Sequence, residues 1–204
     1  PGQRNTPSSG DLPNFNVRVQ PEDPFDQRTE IKAPGDWKAR RGEVVRVVLH
    51  ATLKEGWNTY PATQRTTDQN AVQLTTYGVE KVAGLTPLWP LRESTTKIGK
   101  SVEGPYFKFI DRFTWLQDVL VAEDAPMGKV QLPIKLRVQI CKSQCFWFDH
   151  TVPVSFEVSE EAPVPMAPEI SERLKVARPE VKVIPISAKP APARDAAKPG
   201  GKEQ

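Results

Sequence analysis

Cys141 and Cys145 are the only cysteines among 204 residues, and three residues lie between them. Two thiols that close can exchange a disulfide with each other, which gives the chain one redox couple and no spare sulfur. A bridge closing so short a loop removes about 2 kcal/mol of unfolded-state entropy, against nearly 5 for a loop of about 100 residues. It is a poor staple, and the spacing leaves two readings open: a redox-active pair, or a local structural bridge that pins a hairpin. Phe146, Trp147 and Phe148 follow directly. Apolar surroundings raise a thiol pKa and keep the nucleophilic thiolate scarce, which would protect a reduced dithiol from random oxidants. The same aromatics also read as packing, with Phe146 and Phe148 in a core and Trp147 capping its edge. His150 stands five residues after Cys145. Cys141, Cys145 and His150 together could ligate a soft metal such as copper or zinc, a third reading that lacks an obvious fourth ligand. His50, in an apolar run, reads as a hydrogen-bonded structural histidine.

The elements that must carry these residues are strands. From Val130 to Ile140, apolar side chains alternate with Gln131, Pro133, Lys135, Arg137 and Gln139, the period of a half-buried strand. A second alternation places Val152, Val154, Phe156 and Val158 on one side. The two enclose the cysteines. By strand parity Cys141 continues the polar series and leaves the sheet away from the core, so it is expected as an accessible thiol at a loop end and the slightly favoured attacking sulfur. Val44 to Leu53 is rich in β-branched residues and reads as a core strand ended by Gly56. Further strands are expected at Ala71 to Tyr77, Tyr106 to Phe109 and Arg112 to Val121, and an edge strand at Phe15 to Val19. No segment has a convincing helical period. The middle of the chain, 15–160, is therefore expected to be an all-β sandwich of seven or eight strands, similar in size and spacing to an immunoglobulin-type domain.

The ends read differently. Six of the 21 prolines fall in residues 1–36 and eight in 163–199, leaving seven for the long middle. Residues 1–14 are expected as a flexible arm and 161–204 as a Pro-, Ala- and Lys-rich linker, within which Glu169 to Val176 could form a transient helix. Lys and Arg number 28 against 25 Asp and Glu, well mixed, and form no basic stripe interleaved with aromatics, which argues against nucleic-acid binding. No stretch approaches the roughly 18 consecutive apolar residues of a membrane span, so the chain as given is expected to be soluble. Its start at Pro1 is read as loss of an upstream segment, and its long tail as a tether to something beyond Gln204. No Gly-rich phosphate loop or Ser/His/Asp arrangement is visible, and no cofactor is expected.

A strand ending at Cys141, a short loop, Cys145 followed by an aromatic, then Thr151-Val152-Pro153-Val154-Ser155-Phe156-Glu157-Val158 resembles the amino-terminal domain of the DsbD thiol:disulfide interchange proteins. Gly56-Trp57-Asn58-Thr59-Tyr60 is similar to that family's Gly-aromatic-x-x-Tyr stretch, and Gly99-Lys100 to a Gly-Lys near its cap loop. The resemblance spans Phe15 to Val158. It implies an immunoglobulin-like periplasmic domain, monomeric, whose cysteines accept electrons from a membrane-embedded redox module and pass them to thioredoxin-like domains and exported thiol proteins. It also implies a protein-disulfide reductase role with Cys141 and Cys145 as the redox pair and Trp57 and Tyr60 lining the site. The chain departs from the family in its cysteine spacing and in Phe146-Trp147-Phe148-Asp149. Lys97-Ile98 stand where a shielding cap-loop aromatic is expected, so shielding would fall to Trp147, Trp57 and Tyr60, or to the Ile98 loop. The remaining alternative is a non-catalytic interaction module with a structural hairpin disulfide.

Overall fold

A computed structural model describes residues 10, 12–23, 38–63, 75–101 and 104–176. Two sheets face each other. The first runs β1 (Asn14–Pro21), β2 (Val44–Thr52), β8 (Arg112–Val121), β5 (Leu85–Glu93) in spatial order. The second runs β10 (Cys145–Val158), β9 (Gly128–Cys141), β3 (Asn58–Thr59), β7 (Gly104–Ile110), β6 (Lys97–Ser101), with β4 (Thr75–Val79) also paired to β9. The all-β sandwich is thus as expected, with ten described strands rather than seven or eight.

The alternation in β9 sets the core. Leu132, Ile134, Val138 and Ile140 have no exposed surface, and Val130 and Leu136 are buried with them. From the opposite sheet come Val45, Val47, Leu49 and the aromatic group Phe113 and Trp115, with Phe109 stacked on Phe113 at 4.6 Å. Packing of large aromatics beside β-branched residues is what lets two pleated faces interlock.

β2 does not alternate cleanly, because Val44 and Val48 are buried as well as Val45, Val47 and Leu49. The outer face of this sheet is covered in part. Helix α1 (Pro168–Val176) lays Met166, just before it, and Ile170 and Leu174 against Val44, Leu88 and Leu120. Gly42, at φ +88, permits the approach: a Cβ there would lie 2.0 Å from the Val164 carbonyl oxygen. Residues 162–176, read as the start of an extended linker and a transient helix, instead return to the sheet. Of the strand expected at Ala71 to Tyr77, residues 71–74 lie outside those described and Thr75–Tyr77 begin β4. No described helix is long and apolar enough to cross a membrane.

Candidate functional site

β9 and β10 form one long hairpin in which Cys145 faces Cys141 directly, and a disulfide of 2.02 Å joins them. The loop between is Lys142-Ser143-Gln144, closed by the Lys142 amide donating to the Gln144 carbonyl at 3.0 Å. The hairpin is held on its other flank by β3. Though only two residues long, β3 bridges β9 and β7, pairing Asn58 with Cys141 and with Ile110. Its side chains add to the ladder: Asn58 Nδ2 donates to the Cys141 carbonyl at 3.0 Å and Thr59 Oγ1 to the Gln139 carbonyl at 2.8 Å. The turn before it passes through Gly56 at φ +80, a conformation Gly adopts without a Cβ penalty. The side chain of Lys142 lies across this glycine.

The two sulfurs have different surroundings, and here the structure corrects the sequence reading. Cys141 is 5% exposed, not an accessible thiol, whereas Cys145 is exposed. Parity correctly sends Cys141 to the face of Lys135, Arg137 and Gln139, but that face is covered at this point. Tyr60, two residues beyond Asn58, brings its Oη to 3.6 Å from Cys141 Sγ. Tyr60 is itself held: Thr75 Oγ1 donates to its carbonyl at 2.6 Å, and its ring packs on Tyr106 at 5.8 Å. Burial, followed by the influence of Tyr106, pushes the Tyr60 hydroxyl above its ordinary pKa. The sequence reading slightly favoured Cys141 as the attacking sulfur, whereas the exposed sulfur is that of Cys145.

The other expected lining residues are distributed on both sides of the hairpin. Trp57 and Phe146 lie on its inner side, Trp57 buried and the rings tilted at 6.2 Å. Trp147 stands on the outer face, two residues from Cys145 and 40% exposed, with the Arg137 guanidinium over its ring at 4.8 Å. Ile98 is 67% exposed and pairs with Phe107 across the β6/β7 hairpin. The aromatic this hairpin does send toward the site is Tyr106, one strand across from Gly99, which sequence reasoning missed. Its signal was the glycine: Gly in a strand marks a place where another group comes close.

His150 does not join the cysteines. It lies five residues along β10 from Cys145, on the order of 16 Å at strand rise, and its ring stacks with Phe15 and Phe148, each at 5.4 Å. Among the described residues no group of three or more His, Cys, Asp or Glu is placed to hold a metal ion. His50 hydrogen-bonds Thr114 through Nδ1 at 2.9 Å.

No family model and no curated protein matches this chain. Among solved structures, the chain is similar to the reduced DsbD N-terminal domain of Neisseria meningitidis, at 12% identity and TM-score 0.38, over 54% of this chain and 77% of that one. It is similar also to the N-terminal periplasmic domain of ScsB from Proteus mirabilis, at 17% identity and TM-score 0.38, over 68% of this chain and 50% of that one. A family 123 glycoside hydrolase from Clostridium perfringens overlaps 72% of this chain at 8% identity and TM-score 0.33, which is 27% of the hydrolase.

Proposed function

We propose that this domain carries out thiol:disulfide exchange with protein dithiols of the cell envelope. The observation that supports it is the asymmetry of the bridge: one sulfur, Cys145, is exposed at the end of a braced hairpin, and the other, Cys141, is buried beside a hydroxyl. A partner thiolate can reach only the first. As its bond to Cys145 Sγ forms, the Cys145–Cys141 bond breaks and its electron pair stays on Cys141 Sγ. A second partner thiolate then attacks the partner's own sulfur in the mixed disulfide and expels Cys145 thiolate. The partner dithiol has lost two electrons and two protons, and the cysteine pair has gained them. In the reverse direction Cys145 attacks a partner disulfide and Cys141 resolves the intermediate. Thioredoxin-like domains, exported thiol proteins and a membrane-embedded redox module are the partners this chemistry and the sequence resemblance suggest, in a periplasmic setting where disulfides persist.

Titration of the pair against a glutathione or dithiothreitol series tests the reading. An exchanging pair should have a potential above about −300 mV, within reach of thioredoxin-like couples, whereas a structural bridge lies below that mark. A potential far below it, with no reduction by a thioredoxin-like protein, would leave only a hairpin staple.

A further inference from the structure

The setting of Cys141, taken alone, opposes the exchange just proposed, on which this inference rests. Burial disfavours the charged form of a thiol, and a thiol of high pKa is a poor leaving group. Yet Cys141 is the buried sulfur and the one that must leave. The polar group against it is Tyr60, with Oη 3.6 Å from Sγ. In the disulfide neither sulfur carries a proton, so the phenol is the donor and sulfur the acceptor. The Tyr60 hydroxyl ordinarily titrates above a thiol, and its surroundings raise it further. It therefore keeps its proton over the range in which Cys141 would ionise.

The hydroxyl is held in place by two further residues. The Tyr60 ring rests on Tyr106 at 5.8 Å, tilted by 45°. Tyr106 faces Gly99 across the β6/β7 ladder. A Cβ on Gly99 would lie 2.5 Å from Tyr106 Cζ and 2.8 Å from its Oη, so the ring occupies the space that any other residue at position 99 would fill. The missing side chain on β6 and the donor at the sulfur are thus linked through two phenol rings in tilted contact.

We propose that the Tyr60 hydroxyl stabilises Cys141 as the leaving thiolate, and that Gly99 and Tyr106 are positioning residues that keep it there. The full chain carrying Cys145→Ser isolates the Cys141 thiol for titration by ultraviolet thiolate absorbance. Adding Tyr60→Phe should raise the Cys141 pKa by about one unit, a tenfold loss of thiolate. With both cysteines present, Tyr60→Phe should slow opening of the disulfide by dithiothreitol on the order of threefold, as leaving-group dependence predicts. Tyr106→Leu, which retains the hydroxyl but removes its support, should shift both readings in the same direction by less. A purely structural Tyr106 would lower the melting temperature and leave the Cys141 pKa unmoved. An unchanged pKa and rate in Tyr60→Phe overturns the proposal; if that variant loses its folded near-ultraviolet signal, Tyr106→Leu alone decides. The exchange reading fails separately, through a wild-type pair that no thioredoxin-like protein reduces.

Discussion

Arg173 of helix α1 donates through Nη2 to Asp118 Oδ2 on β8 at 3.0 Å, across 55 residues of sequence. The same carboxylate receives Arg46 Nε at 2.9 Å and Arg92 Nη2 at 2.7 Å, and is only 2% exposed. Burial raises the pKa of Asp118, but hydrogen bonds from Arg46 and Arg173 and the charges of Arg46 and Arg92 outweigh it and hold the carboxyl below its ordinary value of 3.8. A carboxyl depressed by folding contributes stability that is present above the unfolded pKa and is lost as pH falls through the folded value. Asp118→Asn removes the anion from three guanidinium groups and should cost about 3 kcal/mol or more at neutral pH. Urea midpoints measured from pH 7 down to pH 2 should converge for wild type and variant as acid removes the same charge. A constant gap across that range would show that Asp118 acts through packing alone.

The helix should be separable from the redox site. A chain ending at Ala167 loses Ile170, Leu174 and Arg173, and exposes Leu88 and Leu120, which are 0% and 3% exposed in the intact protein. The loss should be on the order of 2–4 kcal/mol from apolar area, read as a lower urea midpoint. Opening of the disulfide by dithiothreitol below the transition should be unchanged, because α1 packs on the sheet that does not carry the cysteines. A changed opening rate would tie the helix to the site.

Strands whose side chains alternate against one core were legible: the apolar series of β9 and its partner β10, and the β-branched run of β2, lie where the pattern puts them. β5 was hidden by Pro87 and Pro90, which argue against a central strand. It is in fact an edge strand, paired on one side to β8 with an irregularity between Leu88 and Arg92. β3 is too short to have a period. That omission explains the misreading of Cys141, since parity gives the direction of a side chain but not what covers it. The cover is Tyr60, 81 residues away in sequence; the family resemblance, not the strand period, set Tyr60 near the cysteines, and the hint of Tyr106 was the Gly99 that seats it.

Loss of both sulfurs should leave the sandwich folded. Cys141→Ser with Cys145→Ser forfeits a loop constraint worth about 2 kcal/mol, while the 14-residue strands β9 and β10 remain paired along their whole length. The single variants should differ. Cys141→Ser leaves the exposed sulfur, whose thiolate can attack the disulfide of an oxidised thioredoxin-like partner and release one partner thiolate; it should accumulate that mixed disulfide, seen by non-reducing electrophoresis. Cys145→Ser leaves the buried one and should trap far less. Equal trapping by the two would remove the distinction between attacked and leaving sulfur.

Trp147 separates shielding from packing. It shares the outer face with Cys145, is 40% exposed, and is covered on one side by Arg137 at 4.8 Å. An exposed cation–π contact is worth about 0.5–1 kcal/mol, so Trp147→Ala should cost about 1 kcal/mol in urea denaturation. Trp115, with no exposed surface in the core, should cost about 3–5 kcal/mol on the same truncation. A large indole two residues along the strand also restricts approach to Cys145. Alkylation of the reduced protein by iodoacetamide should therefore be faster in Trp147→Ala, and faster at Cys145 than at Cys141, as peptide mapping would show. A stability loss as large as that of Trp115→Ala, with alkylation unchanged, would make Trp147 packing material and leave Tyr60 and Tyr106 as the aromatics that guard the pair.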